Sequence, residues 1–173
     1  MNYVSLFTGA GGGDLAFQHL LKDFKCIGYV EIDEYCQKSL RQRQLDGILP
    51  RCPIYTDIKT FISSGRCELF RGITDVISAG FPCQPFSVAG KQCGADDERN
   101  MWPETIECIR RIRPRKALLE NVPGLFAHEY IRRIFGDLAE ARYDARWCTL
   151  GADDVGAPHR RKRVWIVAES KSM

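Results

Sequence analysis

The stretch VSLFTGAGGGDLAF, residues 4–17, joins an apolar β-like run to a glycine-rich turn and then to a helix that we predict to begin at Asp14. Glycine lets the backbone adopt a positive φ and approach a ligand closely. In doubly wound α/β sheets, ligands bind at the carboxyl ends of the strands. The stretch therefore predicts a cofactor site after the first strand of an α/β fold, and a purely structural glycine turn is the alternative.

Short β-like runs alternate with helix-like stretches along the rest of the chain, a pattern typical of an α/β fold with a largely parallel sheet. We predict seven strands, at residues 3–7, 26–31, 53–56, 76–79, 117–120, 144–149 and 164–168, and four helices, near 15–24, 34–45, 103–113 and 129–141. The irregular stretch 81–99 is longer than most connections in a compact domain, and such loops commonly carry function or are disordered.

The composition indicates one globular domain spanning residues 1–173, because 45% of the residues are apolar and 27% are charged. No apolar run approaches the roughly 20 residues that cross a bilayer, and the N-terminus lacks the features of a secretory signal. We therefore expect a cytoplasmic protein with no membrane association. The formal net charge is +3, but the basic runs RRIRPRK (110–116) and RRKR (160–163) predict either solvated helix ends or a surface that faces a polyanion.

Eight cysteines and three histidines raise the question of metal or disulfide chemistry. No two cysteines have the C-x-x-C spacing, and disulfide scaffolds are shorter and secreted, so we expect no metal site and mostly buried thiols. The exception is Cys83, which the stretch GFPCQPFS (80–87) holds between two prolines. A rigid frame suits a nucleophile that must meet its target from one direction, and a packed core thiol is the alternative.

Two acidic residues follow strands at positions that suit a nucleoside. Glu31 ends the second predicted strand, where a carboxylate accepts hydrogen bonds from ribose hydroxyls, and Asp57 follows the third, where it would contact an adenine amino group. The G-x-G-x-x-G spacing of NAD sites fails because Asp14 occupies the position of the third glycine. An acidic residue at the helix start also repels a pyrophosphate. The pattern favours S-adenosylmethionine, which carries no phosphate, over a dinucleotide.

Five blocks, taken in order, resemble the DNA (cytosine-5)-methyltransferase family. They are FTGAGGG (7–13), similar to its first cofactor motif; PCQPFS (82–87), to its nucleophile motif; DERNMWPE (97–104), to the segment that closes over the cofactor; ENVPG (120–124), to its glutamate motif; and PHRRKR (158–163), to its glutamine–arginine motif. The resemblance covers nearly the whole chain. It implies a Rossmann-like S-adenosylmethionine-dependent methyltransferase fold, with a mostly parallel seven-stranded sheet flanked by helices.

The resemblance implies a DNA (cytosine-5-)-methyltransferase that moves a methyl group from S-adenosylmethionine to C5 of a flipped-out cytosine in DNA, as in restriction–modification, with S-adenosylhomocysteine as product. Cys83 would bond covalently to C6, and Glu120 would donate a proton or hydrogen bond at N3. Arg161 and Arg163 would hold O2. The expected nucleic-acid contacts are Gln84 and Ser87, and the expected cofactor-binding residues are Phe7, Thr8, Gly9, Gly11, Gly12, Glu31, Ile32, Asp57, Ile58, Pro82 and Trp102.

Local packing offers a competing interpretation for several of these residues. Glu120 follows an apolar run, so we expect it to be desolvated, which favours the protonated acid, although a carboxylate that caps the next turn would fit the same pattern. Asn121 is expected to orient the loop. Arg161 and Arg163 would also fit a solvated basic face. Agreement among these residues favours the catalytic interpretation, because the nucleophile, the acid and the arginine donors all follow strand-like runs.

The chain also departs from the family pattern. The variable target-recognition region and the C-terminal motifs have no counterpart here, His159 stands where glutamine is usual, and Asn100 stands where glycine is usual. We therefore expect a truncated enzyme or one subunit of a split enzyme that a second polypeptide completes, and the DNA target sequence is not predictable. The alternatives are a tRNA cytosine-5 methyltransferase, a catalytically silent binding or regulatory module, and a dinucleotide oxidoreductase.

Overall fold

A computed structural model describes residues 1–21, 23–82, 100–127 and 130–171. Across these ranges, strands and helices alternate along the chain. The strands are β1 (Asn2–Leu6), β2 (Lys25–Val30), β3 (Ile54–Tyr55), β4 (Val76–Ala79), β5 (Lys116–Asn121), β6 (Tyr143–Leu150) and β7 (Arg163–Ser170). The α-helices are α1 (Gly12–Leu20), α2 (Glu34–Leu45), α3 (Ile58–Ser63), α4 (Trp102–Ile112), α5 (Gly124–Ala127) and α6 (Tyr130–Glu140).

The seven strands form one sheet in the order β3-β2-β1-β4-β5-β7-β6. Strands β1 to β5 pair in parallel, whereas β7 runs antiparallel to both β5 and β6. The predicted fold class, a mostly parallel seven-stranded sheet flanked by helices, is confirmed. Strand order reverses between β1 and β4, and in open α/β sheets ligands bind in the crevice at such a switch point.

The larger core lies on one face of the sheet, under helices α3, α4 and α6. Alternate strand residues point into it, because successive side chains of a strand face opposite sides. The buried set includes Ile77, Ala79, Ala117, Leu119, Ile166 and Ala168 from the strands and Ile106, Ile109, Ile131, Ile134 and Leu138 from the helices. A smaller cluster on the other face joins β1 and β2 to α1 and α2.

Sequence patterns located most elements but missed two helices. Helices α3 and α5 were not predicted, because six and four residues are too few to show a helical apolar period. Helix α1 begins at Gly12 rather than Asp14 and ends at Leu20. The last two glycines of the turn, 12 and 13, therefore lie in the first turn of this helix. The predicted apolar face of α6 is confirmed by the burial of Ile131, Ile134 and Leu138.

The basic run 110–116 lies at the sheet edge opposite the glycine turn, where α4 ends and β5 begins. Arg111 contacts Glu68 at 2.7 Å and Glu107 at 2.6 Å. Arg110 pairs with Glu140 at 3.3 Å. Arg110 and Arg111 are therefore engaged in ion pairs within the protein. These pairs favour a structural role for this run over a surface that binds a polyanion.

Replacing Ile109 by alanine is expected to reduce the free energy of unfolding by about 2–5 kcal/mol, because the fully buried side chain leaves a cavity. The matched control is Ile73→Ala, where the side chain is 54% exposed and a change under about 0.5 kcal/mol is expected. Urea denaturation measures both. Equal losses for the two variants would contradict the placement of α4 over the main core.

Candidate active site

A cavity of about 400 Å³ opens at the carboxyl ends of β1 and β2, beside the switch point. Its lining residues are Phe7, Val30, Glu31, Ile32, Asp57, Ile58, Lys59, Pro82 and Met101. Most of the walls are apolar, and the acidic groups come from the ends of β2 and β3. The structure thus brings together Phe7, Glu31, Ile32, Asp57, Ile58 and Pro82, six of the residues predicted to bind the cofactor.

Glu31 is buried, and the backbone fixes its carboxylate in place. Oε2 accepts a hydrogen bond from Gly9 N at 2.6 Å, and Oε1 accepts one from Asp33 N at 2.8 Å. A carboxylate oxygen has more than one acceptor site, so each oxygen keeps capacity for a further donor. Glu31 is therefore oriented in advance to accept hydrogen bonds from a diol in the cavity.

Asp57 caps the N-terminus of α3. Its carboxylate accepts hydrogen bonds from Thr60 N at 2.9 Å, from Thr60 Oγ1 at 2.8 Å and from Lys59 N at 3.2 Å. Partial burial acts to raise the pKa of Asp57, but the bonds from Thr60 and Lys59 outweigh it and hold that pKa below its ordinary value. Asp57 is thus a charged acceptor at neutral pH, and capping is a role that the sequence reading did not assign to it.

The glycine turn needs its glycines for backbone reasons. Gly9 and Gly11 have positive φ, and a Cβ on Gly11 would approach Leu49 Cδ1 to 2.9 Å. On its outer side the turn is held by α2, where Arg43 Nη1 donates to Ala10 O. Gly9, Gly11 and Gly12 shape this turn behind the cavity wall and are not among the cavity-lining residues, whereas Thr8 lines the adjoining cavity.

Trp102 does not reach the cavity. Its ring is fully buried 5.4 Å from that of Phe81, and its Nε1 donates to Asp137 at 2.6 Å. The preceding residue, Met101, lines the cavity. At this position the structure brings Met101 rather than Trp102 to the cavity, and cofactor binding by Trp102 stays a prediction. The signal was available in the sequence, since Trp102 continues the apolar stripe of Ile106 and faces the core with it.

Two further cavities lie on the other side of the glycine turn. One, of about 420 Å³, includes Phe7, Thr8, Gly80, Glu120 and Arg161 in its lining. The other, of about 320 Å³, is lined by Glu120, Leu150, Gly151, Ala152, Val155, Arg161, Arg163 and Trp165. Phe7 lines both the first cavity and the second. Glu120 and Arg161 line both the second cavity and the third. The three cavities therefore adjoin one another along the sheet edge, and we call them together the cleft.

Glu120 and Arg163 meet in this cleft, where Arg163 Nε lies 2.7 Å from Glu120 Oε1. Antiparallel pairing produces this contact, because β7 starts where β5 ends and Glu120 pairs with Trp165. The expectation that Glu120 would be desolvated is wrong, since its side chain is 29% exposed and ion-paired. A Cβ on Gly80 would lie 3.3 Å from Glu120 Oε2, so a larger residue at position 80 would crowd this carboxylate.

Residues 1–173 match the C-5 cytosine-specific DNA methylase family. The chain belongs to this family. It is 34% identical to the Type II methyltransferase M.NgoMIV of Neisseria gonorrhoeae, over 97% of this chain and 52% of that protein. It is 37% identical to the Type II methyltransferase M.HpaII of Haemophilus parainfluenzae, over 98% of this chain and 46% of that protein. The chain thus spans about half the length of these curated relatives.

Solved structures agree with this assignment. A protein described as a DNA modification methyltransferase encoded within an Escherichia coli prophage matches 99% of this chain and 47% of its own, with a TM-score of 0.78 and 26% identity. Spodoptera frugiperda DNMT2 matches 99% of this chain and 50% of its own, with a TM-score of 0.76. Its identity is 20%, so that likeness shows the fold alone. The family resemblance predicted from five sequence blocks is confirmed.

The segment PCQPFS, predicted to carry the nucleophile, begins inside the described residues and continues beyond them. Cys83, Gln84 and Ser87 fall in the range 83–99, outside the described residues, and their roles stay predictions. The backbone leading to them is held, because Asn121 Nδ2 donates to Phe81 O at 3.0 Å. Asn121 Oδ1 also accepts from Val122 N at 2.8 Å, so one amide side chain ties the end of β5 to the start of the motif.

Asn100 anchors the backbone that leads into α4. Its Nδ2 donates to Tyr130 Oη at 2.6 Å, and its Oδ1 accepts from Trp102 N at 3.2 Å. Asn100 replaces the glycine usual in the family at this position, and the contacts give it a structural task. It fixes the start of α4, and Met101, the residue just before that helix, lines the cavity wall.

Over the described ranges, no group of three or more His, Cys, Asp or Glu side chains is arranged to hold a metal ion. The cysteines in those ranges are free, and Cys26, Cys67 and Cys108 are buried. Burial raises the pKa of the Cys67 thiol to about 12 and that of Cys108 above its ordinary value. These thiols are therefore protonated core residues. No helix that the structure describes is long and apolar enough to cross a membrane.

Asp14 lies under the glycine turn and is almost fully buried. It accepts hydrogen bonds from Tyr3 Oη at 2.9 Å and Ser5 Oγ at 3.3 Å. Burial raises the pKa of Asp14 above its ordinary value of 3.8, and the two hydrogen bonds oppose that rise only in part. The folded state therefore keeps a proton on Asp14 at pH values where the unfolded chain has lost it, and ionised Asp14 lowers stability.

Asp14→Asn is expected to gain stability relative to the parent as pH rises from about 4 to 7, because only the parent must ionise a buried acid. The measurement is the urea midpoint of both proteins across this range. Asp33→Asn is the control, because backbone donation from Cys36 lowers the pKa of the exposed Asp33. That variant should become less stable relative to the parent over the same pH interval. If the urea midpoints of Asp14→Asn and the parent change with pH in parallel, the raised pKa of Asp14 is contradicted.

Proposed function

We propose that residues 1–173 form a single catalytic domain that transfers a methyl group from S-adenosylmethionine to C5 of cytosine in DNA, through a covalent bond between Cys83 and C6. One observation carries the proposal. The nucleoside-sized cavity and the Glu120–Arg163 pair open on the same sheet edge, joined by a cleft that Phe7 and Arg161 border. Membership of the cytosine-specific methylase family supports this reading.

The first cavity has the features that S-adenosylmethionine requires. Its apolar walls, with Phe7, Ile32 and Ile58, suit a flat adenine ring. Glu31 would accept hydrogen bonds from the ribose hydroxyls, and Asp57 from the adenine amino group. When bound there, the cofactor supplies a methyl group on a sulfonium sulfur, which keeps the bonding electron pair as the methyl group leaves.

Cys83 makes C5 of cytosine reactive. C5 is a weak nucleophile because attack by it disrupts the conjugation of the ring. The thiolate of Cys83 forms a bond to C6, and the C5–C6 π pair then moves onto C5, which bonds to the methyl carbon. A base removes the proton from C5, the electron pair re-forms the C5–C6 double bond, and the thiolate leaves.

Glu120 and Arg163 stabilise the charge that this addition creates. Attack at C6 moves negative charge toward N3 and O2 of the ring. Arg163 would donate to O2 with Arg161 beside it, and Glu120, once it has left the ion pair and taken up a proton from solvent, would donate at N3. Their contact at 2.7 Å places both groups within reach of one pyrimidine, so an entering base would exchange the ion pair for contacts to its own edge.

DNA would approach from the side of the 160–163 basic run. Arg161 and Arg163 border the cleft, and Arg160 and Lys162 are exposed beside them, so binding should weaken as salt rises. A paired base cannot present its face to a thiol, so the target cytosine must flip out. Gln84 and Ser87 would contact the strand. We place the reaction in the cytoplasm, as for an enzyme of bacterial restriction–modification.

Target recognition and the remaining motifs would come from residues outside 1–173, either further along the same chain or in a second polypeptide. The Type II relatives M.NgoMIV and M.HpaII match this chain over only 52% and 46% of their lengths. Residues 1–173 would then bind S-adenosylmethionine weakly and turn over little by themselves. Robust methyl transfer to plain duplex DNA by these residues alone would contradict the need for further residues.

DNA containing 5-fluorocytosine should trap the protein covalently in the presence of S-adenosylmethionine, because fluorine at C5 blocks the elimination that frees Cys83. The adduct is measured by denaturing gel and mass spectrometry, with and without the polypeptide encoded by the neighbouring reading frame. Cys83→Ser should abolish it, whereas Cys148→Ser, at an exposed cysteine on β6, should not. An adduct that survives Cys83→Ser contradicts the assignment. No adduct under either condition indicates a binding module, and trapping on fluorinated tRNA alone indicates a tRNA enzyme.

Glu31→Gln is expected to weaken binding of S-adenosylhomocysteine about 10-fold, since a hydrogen bond to a charged group contributes roughly 1.5–3 kcal/mol. Equilibrium dialysis with labelled S-adenosylhomocysteine measures the effect. The matched control is Glu34→Gln, three residues later and exposed on the first turn of α2, which should bind as the parent does. Equal affinity for both variants would remove Glu31 from the cofactor site.

A further inference from the structure

Two cysteines lie next to each other at the end of β2 that is far from the cleft. Cys26 is the second residue of β2, and its side chain is fully buried in the smaller core cluster, under helices α1 and α2. Cys52 precedes β3 and packs against the same cluster, but it is only half-buried. The cofactor cavity opens at the carboxyl end of β2, and neither cysteine lines it. The proposed catalytic function therefore gives these two thiols no task.

Backbone contacts hold Cys52 beside β2. Gln44 Nε2 donates to Cys52 O at 2.8 Å, which ties this segment to α2. Tyr29 N donates to Pro53 O at 2.9 Å, which extends the parallel pairing of β2 with β3. Paired strands lie about 4.8 Å apart. Cys52 is therefore held about one strand spacing from β2, on the side of the sheet that buries Cys26.

The two thiols interact within the protein. Burial raises the pKa of the Cys26 thiol, and the neighbouring Cys52 raises it further through a hydrogen bond and through its charge. The Cα atoms of a disulfide are usually about 4–7 Å apart, and the spacing of neighbouring strands falls within that range. Cys26 and Cys52 are free thiols in this structure. The pair is therefore reduced, and the backbone around it is already placed for a bridge.

Cys52 is also accessible from outside the protein. It lines a cavity of about 510 Å³ together with Arg41, Gln44, Leu45 and Arg51. Guanidinium groups donate hydrogen bonds and stabilise negative charge, so Arg41 and Arg51 suit a peroxide, whose O–O bond releases hydroxide when it breaks. Cys26 has no such access, because its exposed fraction is 0%. One thiol can therefore meet an oxidant, and the other lies directly behind it.

We propose that Cys26 and Cys52 form a peroxide-sensitive pair, in which Cys52 is the site of oxidation and Cys26 resolves it. The sulfur of Cys52 bonds to one peroxide oxygen, the O–O bond breaks, and the departing oxygen takes the thiol proton, which leaves a sulfenic acid and water. The sulfur of Cys26 then bonds to the sulfenic sulfur, the S–O bond breaks, and the departing hydroxide takes the Cys26 proton as a second water. The peroxide is reduced by two electrons, and the two thiols are oxidised to one disulfide.

The disulfide would join β2 to the segment that follows α2, and a dithiol would reverse it by exchange. Disulfides of cytosolic proteins are usually transient, and many of them sense oxidants. Both thiols lie outside the cleft, so the pair stands or falls independently of the proposed function.

Peptide mapping of the folded protein after treatment with hydrogen peroxide tests the pair. Trypsin releases Cys26 in the peptide 26–38 and Cys52 in the peptide 52–59, and mass spectrometry without reduction should find these two peptides linked. Cys52→Ser and Cys26→Ala should each lower the linked yield about tenfold or more, since each thiol supplies one sulfur of the bond. Cys36→Ser, in the same peptide as Cys26, is the control and should leave the yield unchanged. No linkage in the parent, or linkage that requires Cys36 instead of Cys26, would overturn the proposal.

Three further readouts tie the result to the folded state and to access. Dimedone should trap a sulfenic acid on Cys52 in the Cys26→Ala variant, and labelling of Cys148 alone would overturn the role of Cys52. In concentrated urea the linked yield should fall, because the unfolded chain no longer holds the thiols together, and an equal yield would contradict their contact. Cys67 and Cys108 also lie near each other but are both fully buried, so they should stay unlinked without urea. Equal linkage of that pair would overturn the role given to access.

Discussion

The antiparallel pairing of β7 with β5 is the constraint on which the candidate site depends. Strands β1 to β5 run in parallel, so their carboxyl ends supply Phe7, Glu31 and Glu120 to one edge. A further parallel strand would have carried its first residue to the far edge. Because β7 runs the other way, it starts at the carboxyl edge and sets Arg163 against Glu120. One reversal of strand direction thus brings a cation and an acid together from positions 43 residues apart in sequence.

The switch point between β1 and β4 supplies the second half of the site. Neighbouring connections leave in opposite directions there, and the gap between them becomes the cavity lined by Phe7 and Pro82. Backbone contacts hold its rim, since Glu31 accepts from Gly9 N and Asn121 donates to Phe81 O. The residues that fix the shape of the cleft are therefore neighbours of the residues expected to be catalytic. A rigid sheet edge thus holds the expected catalytic residues at fixed relative positions.

Much of the fold followed from local patterns. Seven short apolar runs and the glycine turn predicted the strands and their parallel arrangement. Apolar periodicity and turn-forming residues are visible in short stretches of sequence, so they do not depend on distant contacts. Helix α3 was missed since six residues do not complete two turns, and its start depends on the cap by Asp57. The motif match could not show that helix phase turns the ring of Trp102 into the core. The sequence left two interpretations open for the run 110–116, solvated helix ends or a polyanion surface, because the ion-pair partner of Arg111, Glu68, lies in a distant element.

The sequence by itself determined the fold class, the family and the residue types available for chemistry, since motif order and apolar period do not depend on distant contacts. Only the tertiary structure decided which of those residues meet. It paired Arg163 with Glu120, put Met101 in place of Trp102 at the cavity and gave Asn100 an anchoring role through Tyr130. Among the described residues it also leaves one face of β5 and β7 partly exposed. These outcomes depend on strand direction, helix phase and the presence or absence of a covering layer, and each is fixed by residues far apart in the chain.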